Sequence, residues 1–160
     1  MQIHLLRHGI AEEGRAGAPD SERALTGEGK KKLRDVLRAA KSAGVQPSLI
    51  LTSPYRRAVE TAELAAEMLE YKEELLKTKS LVPNANPDQV WDEIRVHKQE
   101  PEILLSSHEP LLGYLFAHLL GTPSLMVDIK KGALARIDME QFGAQPRGVL
   151  RWLFGPKIVG

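Results

Sequence analysis

The sequence predicts an α/β fold, a three-layer α/β/α sandwich whose mostly parallel central sheet has about six strands. Three observations lead to this prediction. Short apolar runs that end at turn residues, as buried strands do, recur along the 160 residues. Segments whose apolar residues repeat at spacings of three and four, as in amphipathic helices, follow each of the early runs. Helices that alternate with strands cover both faces of a parallel sheet.

The first strand, Gln2–Leu6, is mostly apolar and leads directly into Arg7, His8 and Gly9. In open α/β sheets ligands bind beyond the carboxyl ends of the strands, so this strand delivers a cation and an imidazole to such a place. Gly9 allows a sharp turn and the close approach of a ligand. The polar segment Ile10–Ala24 is predicted to be a surface loop, although loops of this length are often functional.

The first helix is predicted to begin after Thr26, which is a suitable N-cap, with Glu28 in its first turn. Its apolar face contains Leu33, Val36, Leu37 and Ala40. Gly44 is the predicted end of the helix. We interpret Lys30–Lys32 as part of the solvated face, because the apolar residues lie on another side.

A second strand, Ser48–Leu51, precedes a helix for which Ser53 is the predicted N-cap and Pro54 the first residue. Arg57 then lies in the first turn, where a cation is unfavourable for the helix dipole. An anion bound there would be attracted both by Arg57 and by the helix amides. Arg56 points about 100° away from Arg57 and is expected at the surface.

The second half of the chain continues the alternation. A third strand is predicted near Lys79–Val82, followed by a helix from the N-cap Asn86 to about Lys98. The fourth strand, Glu102–Ser107, has His108 at its carboxyl end, which repeats the arrangement at His8.

A helix through Leu111–Leu119 follows, and then two apolar runs within Met126–Met139 and Gly148–Phe154. We expect these runs to form a hairpin at the edge of the sheet. No repeat, low-complexity tract or linker divides the chain, so residues 1–160 are expected to form a single domain.

Composition excludes several classes of function. The chain has no cysteine, which excludes disulfides, thiolate nucleophiles and cysteine-ligated metals. The net charge of +1 does not indicate nucleic acid or anionic lipid as a partner. Neither a signal peptide nor an apolar run approaching the ~18 residues of a membrane span is visible. We therefore expect a cytoplasmic protein without nucleic-acid or membrane partners.

Three predicted strand ends supply Arg7, His8, Arg57 and His108. If they converge, two guanidinium groups could fork onto phosphoryl oxygens while one imidazole attacks and the other binds an oxygen. A free histidine, with a pKa of ~6.5, is largely neutral at pH 7 and therefore nucleophilic. No metal site is expected, because the histidines do not pair with carboxylates at helical spacing and the arginines would repel a cation.

Three segments, in this order, resemble the motifs of the histidine phosphatase superfamily, also called phosphoglycerate mutase-like. They are Leu6–Gly9, Ser53–Thr61 and Ser107–Leu111. The short length and the segments Asp20–Thr26 and Ser107–Gly113 are similar to the SixA-type phosphohistidine phosphatases. The resemblance covers nearly the whole chain and implies a phosphoglycerate mutase-like fold.

The resemblance also implies roles for these residues. His8 would be the nucleophile that forms a phosphohistidine intermediate, and Arg7, Arg57 and His108, together with Gly9, would bind the phosphoryl group. Water would then hydrolyse the intermediate, with no metal or other cofactor. In the SixA-type branch the substrate is phosphohistidine on a histidine phosphotransfer domain or a related signalling protein.

The chain departs from the superfamily at the proton donor. Mutases and many phosphatases of this type carry an acid in the loop after the third strand, but Pro83–Pro87 contains no carboxylate and Asp88 is the predicted start of a helix. An alkoxide leaving group needs a proton more than an imidazole does, so this absence favours phosphohistidine. Asp20 is the best substitute as an acid or as a base that orients water.

Alternatives stay open at this stage. A small-molecule phosphomonoester phosphatase of the same superfamily would require an acid that the sequence does not reveal. A catalytically silent module that binds phosphoproteins would not need His8, since arginines suffice for binding. Taken singly, each histidine could also be a structural core residue.

Overall fold

The computed structural model describes residues 1–159, which form a six-stranded sheet with helices on both faces. The strands are β1 Gln2–Arg7, β2 Leu49–Thr52, β3 Leu76–Lys77, β4 Glu102–Ser107, β5 Leu134–Asp138 and β6 Val149–Phe154. The α-helices are α1 Gly27–Ser42, α2 Arg56–Met68, α3 Pro87–Val96, α4 Leu111–Leu119 and α5 Pro156–Val159. Two short 3₁₀ helices are Asp20–Glu22 and Lys79–Leu81.

The strand order in the sheet is β3-β2-β4-β1-β5-β6. Strands β3, β2, β4 and β1 run parallel to one another. Strand β5 is antiparallel to β1, and β6 is antiparallel to β5. The predicted mostly parallel sheet of about six strands, with a hairpin at its edge, is therefore confirmed. The two hairpin strands close one edge, while the parallel strands provide the centre of the sheet.

Two apolar layers cover the sheet because side chains alternate along each strand. Ile3 and Leu5 of β1 lie in a cluster with residues of α3 and α4, whereas Leu6 lies with residues of α1 and α2. The same alternation separates Ile103 from Leu104 in β4. Burial on both faces accounts for the nearly continuous apolar runs of the central strands and produces the predicted three layers.

The register of the central strands brings their carboxyl ends together. Arg7 of β1 lies opposite Ser107 of β4, and Thr52 of β2 lies opposite Ser106 on the other side. The backbone amide of His8 donates to the Ser107 carbonyl at 3.0 Å. The residues that follow β1, β2 and β4 are consequently neighbours at one edge of the sheet.

The predicted third strand exists, but its position near Lys79–Val82 is wrong. It is the short β3, which ends two residues before Lys79, and a 3₁₀ turn occupies Lys79–Leu81. The Thr78 hydroxyl accepts a hydrogen bond from the Ser80 amide at 3.2 Å, and the Glu93 carboxylate of α3 accepts from the hydroxyls of both residues. These polar contacts curl the chain away from the sheet.

Several helix boundaries agree with the sequence: two N-caps, the stop at Gly44, which has a φ of 84° just after α1, and the range of α4. The Thr26 hydroxyl accepts from the Gly29 amide at 2.9 Å, and the Asn86 side chain accepts from the Asp88 amide at 2.9 Å, as predicted. Helix α3 ends at Val96, two residues before the predicted end.

Helix α2 has Tyr55 as its N-cap, so the assignment of this role to Ser53 is wrong. The backbone of Tyr55 is extended, and its carbonyl accepts the first helical hydrogen bonds, from Ala58 and Val59 at 3.0 Å each. The hydroxyl of Ser53 instead bonds to the Tyr55 amide and to His108, so Pro54 lies before the helix.

The predicted strand within Met126–Met139 is shorter than expected, because only Leu134–Asp138 pairs with β1. The preceding segment folds back onto the end of β1, where the Gly132 amide lies 3.2 Å from the Arg7 carbonyl and 3.1 Å from the His8 carbonyl. Gly132 has a φ of 78°, which glycine adopts without strain. Helix α5 was not predicted. No helix within residues 1–159 has the length and apolar character needed to cross a membrane.

Candidate active site

His8 and His108 lie side by side at the carboxyl edge of the sheet, because the two strands that precede them are paired in register. Their ring centroids are 5.1 Å apart. His8 is 6% exposed and His108 only 1%. The structure thus brings together the two histidines that the sequence placed at separate strand ends.

The hydrogen bonds of His8 determine which ring nitrogen can attack. Nδ1 lies 2.7 Å from the Gly9 carbonyl oxygen, and because a carbonyl can only accept, Nδ1 carries the proton. In the neutral ring Nε2 then holds the free electron pair. Arg57 Nε donates towards this Nε2 at 3.4 Å. A cation therefore lies next to the atom that would become phosphorylated.

The electrostatic surroundings keep His8 neutral. Burial lowers the pKa of His8 to about 4, with further lowering by the nearby charges of Arg57, Arg7 and Lys131, although the bond to the Gly9 carbonyl acts in the opposite direction. At pH 7 the imidazole is therefore unprotonated and able to act as a nucleophile.

Arg57, the second residue of α2, connects His8 to the loop before α1. Besides the Nε contact with His8, its two terminal nitrogens donate to Asp20, one to the backbone carbonyl at 2.9 Å and one to Oδ2 at 3.1 Å. Oδ1 of Asp20 accepts from Arg23 Nε at 2.8 Å. Asp20 therefore joins the site and links two arginines.

The same contacts set the charge of Asp20. Partial burial raises the pKa of this carboxyl, but Arg57 and Arg23 outweigh that effect, and the net result is a pKa below its usual value. Asp20 is consequently ionised at neutral pH. A carboxylate in this state can accept a proton or orient water, but it holds no proton to donate.

One side-chain nitrogen of Arg7 is hydrogen-bonded, and another is buried without a partner in the described part of the chain. Its Nη1 donates to the Ile129 carbonyl at 2.7 Å, while Nε is buried and has no hydrogen-bond partner within residues 1–159. Burial lowers the pKa of the guanidinium, and the nearby acids Glu109 and Asp128 oppose that effect. Arginine stays charged in proteins, so a buried donor is left for an anion.

His108 is held by the segment between β2 and α2. Its Nε2 lies 2.8 Å from the Ser53 hydroxyl, and its buried Nδ1 has no partner in the described part of the chain. Burial lowers its pKa to about 3, helped by His8 and Arg57. The ring is neutral without a ligand, and an adjacent phosphoryl dianion would favour its protonated, hydrogen-bond-donating form.

Several residues at the site were missed as functional candidates. Ser53 and Thr61 belong to the second of the three motifs, but neither was predicted to act in the site. The Thr61 hydroxyl accepts from the Gly9 amide at 3.2 Å, and both polar backbone groups of Gly9 are thereby engaged. A Cβ at Gly9 would lie 2.7 Å from Leu33 Cδ1, so this glycine also allows α1 to pack closely. Substrate binding by Gly9 stays a prediction.

The arrangement suits an anion. His8 lies beside His108 and Arg57, and the positive charges of Arg7 and Lys131 are close enough to lower its pKa. No group of three or more histidine or acidic side chains suited to a metal ion occurs within residues 1–159. A surface cavity of about 370 Å³ beside β6 is lined by a separate set of residues, so it does not mark this site.

Stability should depend on pH because two buried histidines are neutral in the native state. Unfolded histidine has a pKa near 6.5, so between about pH 6.5 and pH 4 the unfolded chain binds more protons and the free energy of unfolding falls as the pH falls. Each histidine should contribute a loss of about 2 kcal/mol by pH 5. Urea unfolding between pH 7 and pH 4.5 measures this loss.

The matched variants for this measurement are His108→Asn and His97→Asn. We expect a clearly shallower pH dependence for His108→Asn, which removes one buried titrating group. His97, which is partly exposed at the end of α3, serves as the control. Identical slopes for wild type and His108→Asn would contradict the assignment of a depressed pKa to His108.

The chain is similar to known proteins both in sequence and in structure. Residues 3–81 match the family model of the histidine phosphatase superfamily (branch 1). Phosphohistidine phosphatase SixA of Escherichia coli (strain K12) is 29% identical over 160 residues, covering 98% of this chain and 94% of that protein. The structure of the protein histidine phosphatase SixA complexed with tungstate matches with a TM-score of 0.88 and 27% identity, and all of both chains is covered.

The chain therefore resembles the histidine phosphatase superfamily in sequence and in structure. The fold extends to more distant structures, including the alpha-ribazole phosphatase from Shigella flexneri, with a TM-score of 0.77, 18% identity and coverage of 98% and 97% of the two chains. The phosphoglycerate mutase-like fold expected from the three motifs is therefore confirmed. The residues that match the family model include Arg7, His8 and Arg57, whereas His108 lies outside the matched range.

Proposed function

We propose that this protein is a phosphohistidine phosphatase that removes phosphate from a phosphohistidine-bearing protein through a covalent intermediate on His8. The geometry of His8 carries the proposal. Its Nδ1 is fixed as a donor to the Gly9 carbonyl, and its Nε2 lies 3.4 Å from Arg57 Nε within a group of cations. A neutral nucleophile surrounded by positive charge is what attack on a phosphoryl dianion requires.

The proposed reaction has two steps. In the first, His8 Nε2 attacks phosphorus, the bond between phosphorus and the substrate nitrogen breaks, and the departing imidazole takes its electron pair and a proton from solvent. In the second, the oxygen of a water molecule attacks phosphorus, and the bond between phosphorus and Nε2 breaks with its electron pair returning to Nε2. The proton that the water loses passes to Asp20 and on to solvent, inorganic phosphate leaves, and the ring is again neutral. Arg7, Arg57 and His108 bind the phosphoryl oxygens and stabilise the charge that they carry in the transition state.

The surroundings of the phosphoryl site support a leaving group that needs little acid catalysis. The loop 82–86 contains no carboxylate. Asp88, at the start of α3, lies 3.3 Å from His118 Nε2, and Asp20 is ionised. An imidazole departs more readily than an alkoxide under these conditions. The 29% identity to a phosphohistidine phosphatase is consistent with this choice of substrate.

The wider context is part of the proposal. The partner would be a signalling protein that carries phosphohistidine, such as a histidine phosphotransfer domain. The fixed cations would perform the charge neutralisation for which other phosphatases use metal ions, so the reaction would need no metal or other cofactor. The absence of cysteine is consistent with a cytoplasmic location.

A direct test compares phosphate release from a phosphohistidine-bearing protein and from a simple phosphate ester, both with EDTA present. Fast release from phosphohistidine, slow ester hydrolysis and no effect of EDTA are the expected results. Fast ester hydrolysis would instead establish a small-molecule phosphatase. Absence of turnover on both substrates, with retained binding, would establish a phosphoprotein-binding module, and inhibition by EDTA would contradict metal independence.

Asp20 has a separate proposed role as the base that orients the attacking water in the second step. We expect Asp20→Asn to slow hydrolysis of the intermediate on the order of 10²-fold, because the amide keeps the shape of the side chain but cannot accept the proton. The labelled phosphoenzyme should accumulate when the variant is incubated with radioactive phosphohistidine substrate.

The control is Glu22→Gln, an exposed acid in the same 3₁₀ helix. This variant should turn over normally and show no accumulation. A normal rate for Asp20→Asn would exclude the role as a base. A raised KM without accumulation would assign Asp20 to the positioning of Arg57 instead.

A further inference from the structure

Tyr55 lies at the mouth of the site, between its buried groups and solvent. The rings of Tyr55 and His108 pack in a T-shaped arrangement, with centroids 5.1 Å apart, and Arg57 Cζ lies 5.1 Å from the centre of the tyrosine ring. Both of these partners are almost fully buried, whereas Tyr55 is partly exposed. The ring therefore contacts two phosphoryl-binding residues and also remains accessible to a substrate.

Hydrogen bonds fix the backbone of Tyr55 before any ligand binds, and the ring packs against His108 and Arg57. The Tyr55 amide donates to the Ser53 hydroxyl at 3.2 Å, and the Tyr55 carbonyl accepts the first hydrogen bonds of α2. The Ser53 hydroxyl in turn lies 2.8 Å from His108. A preorganised aromatic side chain loses little conformational entropy when a ligand packs against it.

We propose that Tyr55 contacts the leaving imidazole of the phosphohistidine substrate and thereby determines specificity for this leaving group. This inference rests on the proposed function. In-line transfer to His8 Nε2 places the departing nitrogen on the side of phosphorus opposite to His8. The imidazole must extend from there towards the substrate protein, and therefore towards the mouth where Tyr55 lies.

The chemistry of the two rings supports the contact. An imidazole is planar and aromatic, so it can pack against the face or edge of a tyrosine ring, and its protonated form is attracted to the ring face. Apart from histidines, Tyr55 is the one aromatic side chain within residues 1–159 that packs against a proposed catalytic residue. A substrate without a ring would gain nothing from it.

The test uses two substrates that donate the same phosphoryl group from nitrogen. A phosphohistidine peptide has an imidazole leaving group, whereas phosphoramidate releases ammonia. We expect Tyr55→Leu to lower kcat/KM for the peptide by about 3- to 10-fold and to change kcat/KM for phosphoramidate by less than about 2-fold. Tyr55→Phe, which keeps the aromatic ring, should behave like wild type on both substrates.

Tyr114→Leu is the matched control, because Tyr114 is 65% exposed on α4. Equal losses on both substrates would show that Tyr55 acts only by positioning Arg57 and His108, and this would overturn the inference. No loss on either substrate would also overturn it. If wild type cleaves phosphoramidate but not the phosphohistidine peptide, or cleaves neither, the proposed function is wrong. The proposed role of Tyr55 is then wrong as well.

Discussion

His8→Ala is expected to abolish turnover, with a loss of at least about 10⁴-fold, while binding of phosphate or tungstate is retained. Alanine removes the nitrogen that, in the proposed reaction, would form the covalent bond to phosphorus. It leaves Arg7 and Arg57, whose guanidinium groups would still bind the anion. The result should be the same for phosphohistidine and for any slow substrate, because both would use the same nucleophile.

Three measurements check this expectation together. Single-turnover kinetics report the loss of rate, trapping with radioactive substrate reports the missing phosphoenzyme, and calorimetry with tungstate reports whether the anion site survives. His97→Ala provides a control for loss of an imidazole remote from the site. If His8→Ala kept its rate or still formed phosphoenzyme, the nucleophile would lie elsewhere. Lost turnover together with lost anion binding would indicate damage to the whole site.

Arg57→Ala is expected to lower kcat/KM on the order of 10²-fold or more. The guanidinium contacts His8 Nε2 and would bind an equatorial phosphoryl oxygen. Its removal should therefore raise the free energy of the transition state, in which the phosphoryl oxygens carry negative charge. Its loss also removes one of the cations that lower the pKa of His8. The optimum for activity should therefore shift to higher pH, because more of the imidazole is protonated at low pH.

The neighbouring arginine is a matched control for this prediction. Arg56 is exposed, and its Nε lies 3.7 Å from a Glu60 carboxylate oxygen one turn along α2. Arg56→Ala should keep nearly the full rate. Arg57→Lys should recover only part of the activity, because a lysine keeps the charge but cannot reproduce the forked contacts. An unchanged rate for Arg57→Ala would place this residue outside the catalytic site.

Two N-caps depend on nearby residues and were predicted correctly, whereas the bounds of two strands depend on distant residues and were not. Thr26 and Asn86 cap their helices as predicted, because an N-cap bonds to an amide only two or three residues away. The third strand was placed wrongly because Glu93, 13 to 15 residues further on, binds Thr78 and Ser80. The strand within Met126–Met139 was too long because the end of β1 binds its first half.

Local sequence patterns were therefore enough to predict the alternation of strands and helices and the resemblance to the superfamily. They were also enough to place Arg7, His8, Arg57 and His108 near the ends of elements. Periodicity, capping and short motifs depend on neighbours within a few residues, so they can be read without a fold.

The spatial arrangement of these residues depends on contacts between distant parts of the chain. The pairing of β1 with β4 places His8 beside His108, and the Arg57–Asp20 contact joins residues 37 positions apart. Burial and surrounding cations keep His8 neutral, and the Gly9 carbonyl leaves Nε2 as the ring nitrogen with the free electron pair. Strand order, the burial of His8 and the distances between charged groups depend on contacts between distant parts of the chain. Local sequence patterns therefore do not predict them.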